Sequence, residues 1–208
     1  MKRQTYLIYF ICFFCFNTYG QTPKPFKKAH KEPLKRVAFG SCAHQLKAQR
    51  IWGAVLDYQP ELFAFLGDNV YGDTENMEKL KKKYARLGNK EGFINLKKMC
   101  PVIATWDDHD YGRNDAGEEY PKKKESQKIF LDFFEEPKIS PRRTRGGVYT
   151  SYMFGPKNKR VQVILLDTRF FRSPIVSNKD GHNRGKYMGS YIANPNPNST
   201  MLGKAQWQ

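Results

Sequence analysis

Two short strings hold residue types that together can do hydrolytic chemistry: Gly67-Asp68-Asn69-Val70-Tyr71 and, about forty residues on, Trp106-Asp107-Asp108-His109-Asp110. Hydrolysis of a phosphate ester can use two metal ions ~3.5–4 Å apart, one activating water and both stabilising an in-line displacement. A carboxylate such as Asp68 can bridge two cations. Tyr71 lies three residues further, and one turn returns its phenol to the same ion. A phenolate favours a hard trivalent ion, and a thiolate from Cys42 suits iron better than magnesium. His109 is flanked by acids able to tune its pKa, so it can give a proton to a leaving group.

These strings need strands to position them. Leu62 to Leu66 and Val102 to Thr105 are short apolar runs bounded by turn residues, the pattern of buried strands. Arg36 to Gly40 is a first strand, ending at Ser41-Cys42-Ala43-His44. In an open α/β sheet, ligands bind in the crevice beyond the carboxyl ends of such strands. Helices are predicted over 48–58, 76–87, 93–99 and 122–135. The second turns Leu80, Tyr84 and Leu87 inward and stops with Gly88 as its C-cap; the last buries Ile129, Phe130, Phe133 and Phe134. Residues 147–154 and 160–166 read as a hairpin whose second arm, Val161 to Leu166, is apolar enough to be central and ends in Asp167. A Gly-, Asn- and Pro-rich loop of some thirty residues follows, and then a helix begins at Thr200.

Residues 1–20 read as an export signal. Lys2 and Arg3 precede an apolar stretch from Tyr6 to Phe16, and Thr18-Tyr19-Gly20 suits cleavage before Gln21. The stretch is short for a ~20-residue membrane span. Residues 21–35, rich in Lys and Pro, read as a flexible lead-in. Removing the leader takes away Lys2 and Arg3 and no acid, so the formal charge falls from +16 to +14. Such a surface favours anionic partners without choosing among them. Cys42 and Cys100 remain; an exported protein permits a disulfide, but the two fall at opposite edges of a parallel sheet. The nucleophile motif Gly-x-Ser-x-Gly is missing, which counts against an acyl-transfer hydrolase.

Phe39-Gly40-Ser41-Cys42, Gly67-Asp68-Asn69-Val70-Tyr71, Thr105-Trp106-Asp107-Asp108-His109-Asp110-Tyr111-Gly112 with Asn114-Asp115, and Leu166-Asp167-Thr168-Arg169 closely resemble the alkaline phosphatase D-like branch of the metallophosphoesterases. The motifs stand in the right order over residues 36–208. The resemblance implies an α/β fold, the four-layer α/β/β/α sandwich of that superfamily, with two metals at the sheet edge. It implies that Cys42, Asp68 and Tyr71 hold one ion, often iron(III) in this branch. Asp68 then bridges to a divalent ion such as calcium, with zinc, manganese or magnesium as alternatives. Asp108 falls where the superfamily has an asparagine ligand, and His109 where it has a substrate-facing histidine. Asn114 and Asp115 either shape their loop or contact metal or substrate. Arg169 either holds a phosphate or braces Asp167.

The implied activity is that of an exported phosphatase or phosphodiesterase, in which a metal-activated hydroxide attacks phosphorus without a covalent intermediate. The family's remaining ligands come from later strands. By that likeness residues 36–208 are the N-terminal part of the domain, incomplete and poorly active alone; His182, in the long loop, is not cast as a ligand. The expected partner is a phosphate ester, small or polymeric, with no stable nucleic-acid partner and no membrane attachment once the leader is gone. A different class is a secreted protein that binds anionic polymers through Lys122-Lys123-Lys124 and Arg142-Arg143-Thr144-Arg145, its metal residues vestigial. Tyr149 and Tyr152 would then stack on ligand, although a strand pattern favours packing for both.

Overall fold

The computed structural model describes residues 31–178 and 191–208. The predicted leader, the lead-in through residue 30 and His182 lie outside the described residues. Three parallel strands form the central sheet, in the order β1 (Val37–Gly40), β2 (Leu62–Leu66), β3 (Val102–Thr105). Their register pairs Gly40 with Phe65 and Leu66 with Thr105, so the three carboxyl ends finish side by side. Helices α1 (Ile51–Asp57), α2 (Met77–Gly88), α3 (Glu91–Met99) and α5 (Lys123–Phe133) supply one layer; α4 (Asp108–Tyr111) is a single turn at the end of β3.

The alternation of β2 explains the layering. Phe63 and Phe65 point into the helices, where they pack with Trp52, Tyr84, Phe93, Leu96 and Phe130. Leu62 and Ala64 point the other way, with Ile103, onto Phe154 and Leu165. Those two belong to an antiparallel hairpin, β4 (Thr150–Phe154) and β5 (Val161–Leu165). The result is an α/β/β stack, the core of the expected sandwich. Both faces of β2 are covered, which is why its run is continuous rather than alternating.

Several expectations need correction. β5 is not central: among the described residues it pairs with β4 alone, and Val161, Ile164 and, beyond the strand, Leu166 are exposed. Its apolar run covers one face, Val163 and Leu165, and leaves the other to solvent. The helix predicted from Thr200 is one 3₁₀ turn, Lys204–Gln206. The Thr200 hydroxyl accepts the Gly203 N–H at 2.9 Å, and Gly203 has φ +66°, a conformation that stops a helix. The long loop contains a two-residue ladder between β6 (Val176–Ser177) and β7 (Tyr191–Ile192). Gly88 is the last helical residue of α2 and Asn89 the cap, while Asn76 caps the start by accepting the Lys79 N–H at 3.0 Å. Phe133 and Phe134 pack on the core only partly buried. Cys42, exposed, and Cys100, buried, are free thiols. Among the described residues no helix is long and apolar enough to cross a membrane.

Candidate metal centre

The strand ends approach each other closely enough to demand glycine at Gly67. Its φ is +107°, and an added Cβ would lie 2.5 Å from the Asp107 Cβ and 2.8 Å from the Asp107 amide nitrogen. In the loops that follow the three strands the chain takes the left-handed conformation at Cys42 (φ +61°), Asp68 (+51°), Asp73 (+42°) and Asp115 (+58°). Non-glycine residues adopt it rarely, and it tends to cluster at functional sites. Cys42 and Ala43 tie their loop to the next one by donating N–H bonds to the Gly67 and Asp68 carbonyls, at 3.2 and 2.9 Å.

Five of the predicted residues come together. The Cys42 thiol donates to Asp68 Oδ2 at 3.6 Å, and the Tyr71 phenol meets both Cys42 and Asp68. Ligand atoms of Asp68, Asp108 and His109 lie within 4.8 Å of one another. Tyr71 is the middle ring of a stack, with its centroid 4.6 Å from that of His44 and 4.3 Å from that of His109. Its backbone is gripped as well. The Tyr71 N–H donates to Gln45 Oε1 at 2.9 Å, and the Lys83 ammonium donates to the Tyr71 and Gly72 carbonyls at 2.8 and 2.7 Å.

Arg169 and Asn114 sit differently. Arg169 Nε donates to Asp107 Oδ1 at 2.5 Å, and its Nη2 lies 3.8 Å from Asp108 Oδ1, so its guanidinium borders the cluster. It does not brace the Asp167 carboxylate, which instead accepts the backbone N–H groups of Val148, Arg169 and Phe170. Asn114 turns its amide to the Asp115 carboxylate at 2.6 Å, outside the cluster of ligand atoms. The Asp115 N–H donates to Asp108 Oδ2 at 2.6 Å.

Electrostatics separate the acids. Burial pushes the Asp68 carboxyl up; His109 opposes this, while Asp108 and Asp107 reinforce it. Burial also acts to raise Asp108, but the Asp115 N–H, Arg169 and His109 outweigh it and hold the carboxyl below its ordinary value. The Tyr71 phenol is raised by burial and by the neighbouring thiol and carboxylate. For His109, burial acts downward and is overcome by Asp73, Asp108 and Asp68, leaving the ring easier to protonate than usual.

The site fits a cation. Asp68 Oδ1 is buried and has no hydrogen-bond partner, which an acceptor-only carboxylate avoids unless something positive occupies the position. Carboxylates, a phenol and a thiol around it form a donor set suited to a hard or borderline metal.

Three contributors were not foreseen: Asp110, Asp73 and Gln45. Asp110 is wholly buried and accepts four donors. They are the Asp68 N–H (3.2 Å) and Asp107 N–H (2.7 Å) on one oxygen, and the Asn69 N–H (3.2 Å) and side-chain amide (2.6 Å) on the other. It fastens the two motif loops to each other. The acid pair three apart at the start of a helix is a capping-box signal that can be read from sequence. Asp73 and Gln45 have no such local signature.

One family model and one solved structure resemble this chain. The model described as PhoD-like phosphatase matches residues 37–208. A solved structure of PhoD superposes with a TM-score of 0.61 at 18% identity, covering 86% of this chain and 39% of that one. This chain therefore spans well under half the length of the PhoD chain it matches. No curated protein matches it. The strand order, the motif-bearing strand ends and the match over residues 37–208 lead to one conclusion: the chain belongs to the PhoD-like phosphatase family.

Proposed function

We propose that the protein is an exported metal-dependent phosphoester hydrolase, in which water attacks phosphorus without a covalent intermediate on the enzyme. The observation that supports it best is the gathering of Cys42, Tyr71, Asp108 and His109 about Asp68, a carboxylate with one buried, unpartnered oxygen. Cys42, Asp68 and Tyr71 would hold an iron(III) ion, and Asp68 with Asp108 a divalent ion such as calcium. Bound cations supply Lewis-acid stabilisation of the phosphoryl oxygens and acidify the attacking water.

The chain's own residues do the rest. His109 gives a proton to the departing oxygen. Arg169, anchored on Asp107, presents positive charge to a phosphate oxygen. Gly67, Asp110 and Gln45 hold these side chains in place, which matters because catalysis by positioning is lost over small displacements. Export is supported by the leader-like composition of residues 1–20. Because the family's remaining ligands come from later strands, this chain alone is expected to hydrolyse esters poorly.

The alternative of a polymer-binding protein relies on Lys122-Lys123-Lys124 and on three arginines, and the arginines are engaged within the fold. Arg142 is buried against Glu136 at 2.8 Å, Arg143 pairs with Asp132 at 2.7 Å, and Arg145 lies over the Tyr149 ring. The phosphoester reading is tested with the product of the complete reading frame, on 4-nitrophenyl phosphate and bis(4-nitrophenyl) phosphate. Exhaustive chelation should abolish turnover, and adding back iron and calcium should restore it. Turnover that survives chelation overturns the reading.

A further inference from the structure

We infer that Tyr191 is a specificity-determining residue, its ring a platform for a planar aromatic group that stays bonded to phosphorus, as in an aryl phosphodiester. This role rests on the phosphoester-hydrolase reading and names the substrate class that the same site prefers. Tyr191 opens β7, in the long loop after β5, and the fold brings it back to the metal centre. Its hydroxyl donates to Asp115 Oδ2 at 2.5 Å, and the Asp115 N–H donates to Asp108 Oδ2 at 2.6 Å. One residue therefore separates the Tyr191 phenol from the ligand cluster.

The loop is bolted in that position. Tyr191 pairs with Ser177 in the short ladder, and the Asn194 amide donates to the Pro174 carbonyl at 3.0 Å. The stem is closed by the Ser173 N–H on the Thr200 carbonyl at 2.9 Å and by the Thr200 N–H on Ser173 Oγ at 3.1 Å. Beside the stem, the buried Arg172 donates through Nη2 to the Asp115 carbonyl, and its own carbonyl accepts the Glu118 N–H at 2.8 Å. A Cβ on Gly117 would lie 2.4 Å from the Arg172 carbonyl oxygen, so the two segments meet with no room for a side chain between them. The Asp115 loop and the stem of the long loop form one wall.

The ring itself is left for a ligand. Tyr191 is 44% exposed, and among the described residues no other ring or cation stacks on it. A hydrogen bond between two such accessible groups contributes little to folding, so stability is a poor account of a ring anchored by its tip beside the centre. The partners of Tyr191 say which ester group it meets. Asp115 acts electrostatically on both Tyr191 and Arg169, and Arg169 is the side chain that presents charge to a phosphate oxygen. His109, the proton donor to the departing oxygen, is held by Asp73 and Tyr71 instead. Tyr191 thus shares the side of the site that holds the phosphate and the group remaining on it. Aromatic faces attract planar groups by offset stacking.

Binding tests this without turnover. Phenylphosphonate and methylphosphonate each carry a group that cannot leave phosphorus, and only the first is aromatic. Calorimetry on the product of the complete reading frame, loaded with iron and calcium, should show phenylphosphonate bound roughly 10-fold more tightly. Tyr191→Ala should abolish that preference, and Tyr191→Phe, which keeps the ring, should retain most of it. A wild type without the preference, a preference that survives Tyr191→Ala, or a loss in Tyr191→Phe as complete as in Tyr191→Ala overturns the inference. Bis(4-nitrophenyl) phosphate and methyl 4-nitrophenyl phosphate share a leaving group and differ in the group that stays. The ratio of their kcat/KM values should fall in Tyr191→Ala by the same factor as the phosphonate preference, and an unchanged ratio overturns the role. If Tyr191 governs phosphonate binding but the wild type hydrolyses neither diester, the phosphoester reading fails and the aromatic platform stands.

Discussion

Replacing Asp68 by asparagine should abolish hydrolysis, lowering kcat at least ~10³-fold, while leaving the metal-free protein as stable as before or more so. The loss follows from removing the charge of the carboxylate proposed to bridge both cations, the source of Lewis-acid stabilisation. The stability change has a separate cause. Burial and the nearby Asp108 and Asp107 push the Asp68 carboxyl up. A group whose folded pKa is raised stabilises the fold when protonated, and that contribution is lost as pH rises through the folded value. At neutral pH the ionised Asp68 therefore strains the metal-free fold, and a neutral amide relieves it. A gain on the order of 1 kcal/mol would raise Tm by about 2–4 °C for a chain of this size. The difference between variant and wild type should vanish once the pH falls below the ordinary aspartate range, ~3.9. Added metal should stabilise the wild type alone, by mass action. Thermal scans of both proteins across pH, with and without metal, read all of this. A variant that is less stable than the metal-free wild type at neutral pH contradicts the electrostatic account.

Asp110→Ala should be the most damaging single change to the fold. It leaves the backbone N–H groups of Asp68, Asn69 and Asp107 and the Asn69 amide without their acceptor, all in a buried setting. Each orphaned buried donor costs ~1–3 kcal/mol; with water recovering part, the total is about 4 kcal/mol or more. That is a large share of the ~5–15 kcal/mol that holds a domain folded. Asp110→Asn keeps one acceptor oxygen and should fall between Ala and wild type. Urea denaturation measures the shift in midpoint with the slope unchanged. An Asp110→Ala variant whose unfolding free energy lies within about 1 kcal/mol of wild type contradicts the role of Asp110 as the fastening between the two loops.

The contrast between Asp68 and Asp110 shows what a single chain makes legible. Asp68 and Asp108 stand where apolar runs stop, and a parallel sheet brings such stops to one edge whatever the loops do. The three strands of the sheet could be read for the same reason: their runs are short, apolar and bounded. Asp110 offers a local capping-box signal with Asp107, but its other three donors belong to a loop some forty residues earlier, so its role in joining the two loops is not legible. Asp73 was invisible because its approach depends on a left-handed turn closing on a carbonyl. β5 misled because an apolar run does not say whether both faces are covered; here Ile164 faces solvent while Leu165 packs on Ile103. Thr200 misled because a hydroxyl that suits a helix start closed a turn at Gly203 instead.

The central claim is that Cys42, Asp68, Tyr71, Asp108 and His109 gather around a metal. Anomalous diffraction from crystals of the metal-loaded protein, collected at the iron edge and again above it, tests that claim most directly. The account predicts an iron peak within bonding distance of the Cys42 thiolate, the Tyr71 phenolate and the Asp68 carboxylate. Crystals grown in excess metal that show no peak beside Asp68, with metal bound only elsewhere on the surface, would contradict it.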